Sequence, residues 1–328
     1  MLCLLLIGLN QNNLKAWVAS IVTALILFSL YLCGCRALPV SAPLTSNAVS
    51  PTLNGLTGKN THVEKFELPG REFTISSNGT LYFVDTNNSS TVQKINLQKQ
   101  EQFEKFIELG EWIKQPEDDD LDIDDLWIDH KERLVLAESV SGKILRISPD
   151  ARKLENLADS YDGYRLSTTQ GLTGSRRGEL FVGSPHAATL YRIDAVTGKV
   201  SILNEDLVRS NDLCLDPNQT RLLVAENDPN RVLVYDLDDD DSMKFGWTLL
   251  HFSEEEDQVN SLEFVGKNSE LLIVLLGKTK LQIYNLTEGR LVHESSLPFS
   301  CNRLRVYGNR IYLQTKNHIT RVRIPKIL

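Results

Sequence analysis

The feature that most constrains the fold is a pattern of three short apolar runs and two polar turns that recurs along the chain. Its clearest copy spans residues 211–238, where Asp216-Pro217-Asn218 and Asn227-Asp228-Pro229-Asn230 separate the apolar runs. Runs of β-forming residues bounded by Asp, Asn and Pro indicate strands joined by tight turns. Six copies of the pattern begin at Glu72, Asp125, Gly171, Asn211, Asn260 and Asn302.

The spacing of the copies predicts the architecture. Their starts lie 40 to 53 residues apart, which is the period of β-propeller blades. Most copies are followed by another apolar run that can serve as a fourth strand, as at residues 200–203 and 247–250. For the last copy we expect residues 63–68 to supply that strand, because a ring closed in this way leaves no open edge. The prediction is an all-β, six-bladed β-propeller closed by an N-terminal strand.

The first 35 residues have a different composition. Residues 16–32 are apolar and uncharged, Lys15 precedes them, and Leu32-Cys33-Gly34-Cys35 follows. This order is typical of a secretory signal, and the last four residues resemble a bacterial lipobox that would place a lipid on Cys35. An uncleaved membrane anchor is the alternative, although 17 residues is at the short limit for a span. Both interpretations predict a protein that is secreted or attached to a membrane through its N-terminus.

Composition and net charge limit which other kinds of protein this chain can be. Residues 36–61 are rich in Pro, Ser, Thr, Asn and Gly without periodicity, which predicts an unstructured linker before a propeller at 62–328. The net charge of −8, with no basic stripe, argues against nucleic-acid binding. Five scattered cysteines fit neither a disulfide framework nor a zinc site. We therefore expect a monomer that binds a small molecule.

Polar side chains are predicted to converge at one mouth of the central channel. In a blade, the first strand lines the channel and the second returns beside it, so the start of one and the end of the other share a face. The residues expected there are Glu72, Asp125, Gln170, Asn211 and Asn260 from strand starts and Asp85, Glu138, Ser184 and Glu226 from strand ends. Carboxylate and amide oxygens suit a divalent cation such as Ca²⁺. The sequence thus predicts a cation site with a small-molecule substrate beside it.

The stretch around the fourth copy carries a family resemblance. Ser210-Asn211-Asp212-Leu213, the Leu-Leu-Val-Ala run after it and residues 231–236 resemble the senescence marker protein/gluconolactonase family. Related strictosidine synthase-like and paraoxonase propellers have similar sequence patterns. The resemblance covers about residues 63–328. It implies a propeller that hydrolyses lactones or similar esters with the help of a divalent cation.

The resemblance also implies site residues. Glu72 matches the acidic ligand that opens blade 1 in that family, and Asn211 matches the Asn that opens blade 4. Gln170 stands where the family has Asn, and Asn260 stands where it has a metal-binding Asp that is also a probable base. Neutral oxygens in place of carboxylates weaken cation binding. A metal site at Glu72, Asn211, Asn260 and Gln170 would therefore carry fewer charges than the family pattern.

Three functions are compatible with these residues. In a hydrolase, the cation would polarise the carbonyl, and His186 in the loop after Ser184, or Glu226, would activate water. His186 could equally be an exposed loop residue without a role. In a strictosidine synthase-like condensation, Glu226 or Glu138 would be the base. The remaining possibility is a non-catalytic surface propeller that binds a ligand or a protein partner, since a fold does not fix a function.

Overall fold

The computed structural model describes residues 44–45, 62–99, 102–113, 121–166, 170–237, 244–253, 258–265 and 270–323. The predicted signal or anchor, with Cys35, lies outside these residues, as does the predicted linker except Leu44–Thr45. Within these ranges, no helix is long and apolar enough to cross a membrane.

Six four-stranded antiparallel sheets follow one another along the chain as blades 1 to 6. Blade 1 consists of Gly70–Ile75, Thr80–Asp85, Thr91–Asn96 and Glu104–Glu108. Blade 2 consists of Ile123–Ile128, Leu134–Glu138, Lys143–Ile147 and Leu154–Ala158. Blade 3 consists of Leu172–Gly174, Glu179–Ser184, Thr189–Asp194 and Val200–Asn204.

The second half of the ring repeats this organisation. Blade 4 consists of Ser210–Leu215, Arg221–Asn227, Asn230–Asp236 and Trp247–His251. Blade 5 consists of Val259–Val265, Leu271–Leu276, Lys280–Asn285 and Arg290–Ser296. Blade 6 consists of Arg303–Tyr307, Arg310–Gln314, Ile319–Arg323 and the N-terminal strand His62–Leu68. The prediction of an all-β, six-bladed propeller is confirmed.

Three short elements lie outside this plan. Leu44–Thr45 pairs in parallel with the outer strand of blade 4. Ser160–Tyr161 and Tyr164–Arg165 form a small hairpin between blades 2 and 3. Leu109–Glu111 is a single 3-10 turn after blade 1.

The N-terminal strand is the outer strand of blade 6. It pairs antiparallel with Ile319–Arg323, so residues from both ends of the described chain share one sheet. Its Glu64 carboxylate lies 3.0 Å from Arg310 Nε and 2.6 Å from Arg321 Nε. Its Phe66 ring packs edge-on against Tyr312, with ring centroids 5.7 Å apart. Ionic and apolar contacts therefore hold this strand in addition to the strand pairing.

The apolar core lies between blades rather than around a single centre. Blades 1 and 2 share one cluster, which includes Val92, Ile107, Leu126 and Leu136, and the last blade shares another with the first. The second strand of each blade is covered on both faces by the two neighbouring blades. In blade 2, for example, every residue of Leu134–Glu138 is buried. This is why the second strands read as continuous apolar runs in the sequence instead of alternating.

The closing strand generates a prediction about truncation. Deleting residues 1–60 leaves His62–Leu68 in place, so we expect the melting temperature to change by less than about 2 °C. Deleting residues 1–69 removes the strand and exposes the edge of Ile319–Arg323, and should lower the melting temperature by about 10 °C or prevent folding. Thermal melts followed by circular dichroism would measure both. Equal melting of the two truncated proteins would show that the strand does not stabilise the ring.

Candidate functional site

The channel mouth is shaped by β-bulges at the start of four first strands. The pairing with the second strand skips one residue in blades 1, 2, 4 and 5. The skipped residues are Glu72, Asp124, Asn211 and Asn260. A bulge re-aims the side chains beside it. Glu72 in addition adopts a φ of 27°, a left-handed conformation that is uncommon for residues other than glycine.

The turns after the first strands show that Glu72 is not the counterpart of Asn211. These turns are closed by backbone N–H groups of Ser76 in blade 1 and Asp216 in blade 4. Glu72 precedes its turn residue by four positions, whereas Asn211 precedes its own by five. Asp212, one residue further along, is therefore the positional counterpart of Glu72. In blade 1, the carboxylate of the bulged residue therefore lies one residue further along the strand than the bulged Asn211 does in blade 4.

Inside the channel, carboxylates from blades 1, 2, 4 and 5 meet two arginines from blade 6. We call this group the arginine cluster, and its members are Glu72, Asp125, Asp212, Glu263, Arg303 and Arg305. In it, Arg303 Nη1 lies 3.0 Å from Glu72 Oε2 and also donates to Asp125 Oδ1. Arg305 Nη1 lies 3.2 Å from Asp212 Oδ2 and 3.7 Å from Glu263 Oε2. Both arginines come from the first strand of blade 6.

Further hydrogen bonds fix these carboxylates. Asp212 Oδ2 accepts from Ser261 Oγ at 2.5 Å and from the Leu262 N–H at 3.0 Å. Glu72 Oε1 accepts from Gln314 Nε2 at 3.0 Å. Two acceptors beside them, Asp125 Oδ2 and Gln314 Oε1, are buried without a hydrogen-bond partner. Two acceptor oxygens in and beside the cluster are therefore left without a donor.

Burial raises the pKa values of these carboxyl groups, whereas the nearby arginines lower them. At Asp212, burial favours the protonated form, but Arg305 and Arg303 outweigh it and hold the pKa below its ordinary value. At Glu72, burial dominates, and its pKa is raised despite Arg303. At Glu263, burial again dominates and raises the pKa to about 7. The guanidiniums thus stabilise part of the carboxylate charge but not all of it.

The two asparagines expected to bind a cation instead bind each other. Asn211 Nδ2 donates to Asn260 Oδ1 at 3.2 Å and to the Val259 carbonyl at 3.2 Å. Asn260 Nδ2 donates to the Gly277 carbonyl. Gln170 is exposed, and its backbone N–H bonds the Gly183 carbonyl at 2.8 Å. The structure therefore brings Asn211 and Asn260 together, while the described contacts of Glu72 are with Arg303 and Gln314.

These contacts fit a resident calcium ion poorly. The carboxylate of Glu72, the charged member of the expected set, already faces a guanidinium. Ca²⁺ takes six to eight oxygen ligands, and its affinity depends on how many of them are charged. Across the part of the chain that the structure describes, no group of three or more His, Cys, Asp or Glu side chains is placed to hold a metal ion.

The expected catalytic residues lie in two different environments. His186 is exposed in the turn after Ser184. Glu226 is fully buried, with its Oε2 2.5 Å from Arg231 Nε and its Oε1 accepting from the Val208 N–H at 3.0 Å. Both oxygens of Glu226 are thus engaged by the protein itself. Glu138 is buried in a similar way, and its carboxylate accepts backbone N–H groups of the loop that follows it.

Asp124 is a site residue that was not predicted from the sequence. It is the bulged residue of blade 2, which makes it the counterpart of Asn211 and Asn260. Burial raises its pKa to about 6, with Asp122 and Glu72 adding to the effect and a Ser139 hydrogen bond and Arg71 opposing it. Arg71 itself forms an ion pair with Asp122. A carboxyl group with a pKa near neutrality at a cleft is a candidate acid or base.

The two arginines were also not predicted to be site residues, although their spacing in the sequence indicates where they lie. Arg303 and Arg305 alternate with Leu304 and Val306 at the start of the last copy. Residues two apart on a strand point to the same face, so this spacing places both guanidiniums on one side. Because the first strand of a blade lines the channel, this spacing indicates that both guanidiniums reach the channel.

Comparison with known proteins finds a family match over part of the chain, from the hairpin before blade 3 into blade 6. Residues 161–312 match the family described as the SMP-30/Gluconolactonase/LRE-like region. The resemblance drawn from the sequence is thereby confirmed. A gluconolactonase of Zymomonas mobilis is 27% identical over 124 residues, which cover 32% of this chain and 34% of that enzyme. The match thus spans about a third of the curated relative's length.

Solved structures of similar shape extend over more of the chain. A protein assigned as a gluconolactonase superposes with a TM-score of 0.63 at 14% identity, covering 82% of this chain and 93% of its own. Regucalcin from Agrobacterium tumefaciens, described as a calcium-binding protein, gives a TM-score of 0.60 at 13% identity, covering 81% and 95%. At these identities the likeness shows the fold alone.

The raised pKa of Asp124 predicts a pH-dependent gain in stability when its charge is removed. Its folded pKa of about 6 lies above the ordinary value of 3.8, so the folded state holds the proton more tightly than the unfolded state does. Stability from this group is present below about pH 4 and is lost as the pH rises through about 6. Asp124→Asn should therefore raise the melting temperature by about 3 °C at pH 7.5 and hardly change it at pH 4.

Asp150→Asn is the control for that measurement. Asp150 is exposed, and a hydrogen bond from Ser148 holds its pKa below the ordinary value, so removing its charge should not stabilise the protein at pH 7.5. A lower melting temperature for Asp124→Asn at pH 7.5 would show that Asp124 has a partner that favours its charged form.

Proposed function

We propose that this propeller hydrolyses lactones or similar esters at the channel mouth, with Asp124 as the general base. The match to the SMP-30/gluconolactonase-like region over residues 161–312 supports the substrate class. The observation that carries the proposal is the placement of Asp124 as the half-buried, bulged residue at the start of blade 2, where burial raises its pKa to about 6. A base with this pKa is mostly ionised at neutral pH and still strong enough to take a proton in the transition state.

The chemistry requires one water molecule and no other reactant. Asp124 takes a proton from the water as its oxygen bonds to the ester carbonyl carbon. The carbon–oxygen bond of the ester then breaks, and the proton passes from Asp124 to the departing alkoxide. In a lactone, the product is a single hydroxy acid.

The developing oxyanion needs a positive charge or hydrogen-bond donors close to it. We assign this role to the guanidinium of Arg71, whose charge already acts on the carboxyl group of Asp124. Arg71 also pairs with Asp122 at the start of blade 2. That ion pair holds the guanidinium on the side of the mouth where Asp124 lies.

The expected calcium ion has no step in this reaction. Glu72 is engaged by Arg303 and Gln314, and the remaining expected ligands, Asn211, Asn260 and Gln170, are neutral. Weak binding from such a set follows from the dependence of Ca²⁺ affinity on ligand charge. We therefore propose that hydrolysis does not depend on a resident divalent cation.

A panel of simple lactones and aryl esters tests the proposal through kcat/KM. Asp124→Asn should lower kcat/KM by about 100-fold or more, because general-base catalysis contributes at least that much. Wild-type kcat/KM should rise with pH through about 6 as Asp124 loses its proton. Asp150→Asn is the matched control, since Asp150 is exposed in a turn between outer strands of blade 2, and it should leave kcat/KM unchanged.

Two results would contradict this function. Loss of activity in a chelator, with recovery in calcium, would show that a cation carries the reaction. Hydrolysis that Asp124→Asn leaves intact would move the base elsewhere, with the exposed His186 as the next residue to replace.

A non-catalytic binding propeller is the second candidate. The observation that favours it is the amide pair Asn211–Asn260, which supplies hydrogen-bonding groups at the mouth without charge. If no lactone or ester of the panel is hydrolysed, yet one of them raises the melting temperature, this candidate is supported. We also propose, from the N-terminal sequence, that the propeller acts outside the cytoplasm.

A further inference from the structure

The arginine cluster is short of positive charge. Four carboxylates, from Glu72, Asp125, Asp212 and Glu263, face the two guanidiniums of Arg303 and Arg305. Asp125 and Asp212 have essentially no exposed side-chain surface. Buried carboxylates of like charge repel one another and lose their hydration, so they can stay together only with a nearby cation or a bound proton.

We propose that Arg303 is the built-in counter-cation of this channel and occupies a site that would otherwise bind a divalent metal ion. Its guanidinium joins the carboxylates of Glu72 and Asp125, which come from two different blades, to blade 6. Removing the charge of Arg303 should convert Glu72, Asp125 and Gln314 into a calcium site. The inference concerns assembly of the channel and does not rest on the proposed hydrolysis.

Arg303 is better suited to this role than Arg305. Its side chain is 7% exposed and that of Arg305 is 13% exposed. Its two carboxylate partners belong to blades 1 and 2, whereas Arg303 belongs to the blade that contains His62–Leu68. Arg303 therefore links the closing blade to the first two blades of the ring through the channel.

The oxygens without partners support the second half of the proposal. Asp125 Oδ2 and Gln314 Oε1 are buried, unpaired, and belong to residues that directly contact Arg303 or Glu72. A carboxylate pair and an amide carbonyl are ligands that Ca²⁺ accepts. With the guanidinium present, its charge repels a second cation. Without it, Glu72 and Asp125 lose the guanidinium that pairs with both of them.

The test compares melting temperatures in chelator and in about 10 mM calcium chloride. Wild type should show no difference between the two. Arg303→Gln should melt about 10 °C lower in chelator, because one carboxylate pair loses its buried partner. Calcium should then raise its melting temperature by about 3 °C or more, since an ion that binds only the folded state stabilises it. Arg303→Lys keeps the charge and should show no calcium response.

Two further variants separate the proposed site from general effects of charge. Arg146→Gln removes an arginine with the same 13% exposure as Arg305, paired with Glu155 outside the channel, and should gain no calcium response. The double variant Glu72→Gln/Arg303→Gln restores the charge balance. It should melt higher than Arg303→Gln in chelator and lose the calcium response.

Three outcomes would overturn the proposal. The first is a wild type that calcium stabilises as much as it stabilises Arg303→Gln, since a metal would then bind despite the arginine. The second is an Arg303→Gln variant with no calcium response. The third applies if Arg303→Gln does not fold: the proposal then requires the double variant to fold, and its failure to do so would contradict a role based on charge.

Discussion

The ion pairs of Arg303 and Arg305 with carboxylates from four other blades are the interaction on which the centre of this protein depends. Among the residues that the structure describes, the apolar clusters join neighbouring blades. In the channel, Arg303 reaches the first strands of blades 1 and 2, and Arg305 reaches those of blades 4 and 5. Blade 6, which also contains the N-terminal strand, thus supplies the positive charge that holds the inner strands of the ring together.

In blades 2 and 4, the bulges decide which side chains enter this cluster and which remain at the mouth. In blade 4 the bulged Asn211 stays at the mouth and the next residue, Asp212, enters the cluster. In blade 2, Asp124 and Asp125 divide in the same way, which gives two adjacent carboxyl groups different roles. Asp125 pairs with Arg303, while Asp124 lies near Arg71 and burial raises its pKa to about 6. The bulge in blade 2 therefore separates an ion-paired carboxylate in the channel from a titratable carboxyl group at its mouth.

The repeat made the fold predictable, but the site depended on features with weak local signals. Six copies of one strand pattern specify six blades, because polar turns separate apolar runs at a blade-like period in every copy. The counterpart of Asn211 in blade 2 could not be read the same way, since a one-residue shift changes which side chain faces the channel. Glu72 was expected at a metal because it matches the acidic residue that opens blade 1 in the resembled family, whereas its carboxylate faces Arg303. The pair of Arg303 and Asp125 joins residues 178 positions apart, and only the closed ring brings them together.

A crystal structure of the wild-type protein grown in calcium would show whether Arg303 or a metal ion lies between the carboxylates of Glu72 and Asp125. Diffraction data collected where calcium scatters anomalously would separate a bound ion from water. We expect the Arg303 guanidinium to lie within hydrogen-bonding distance of Glu72 and Asp125, with no anomalous peak among these three side chains. A calcium peak coordinated by Glu72, with Arg303 turned away from it, would show that a metal ion and not Arg303 is the counter-cation.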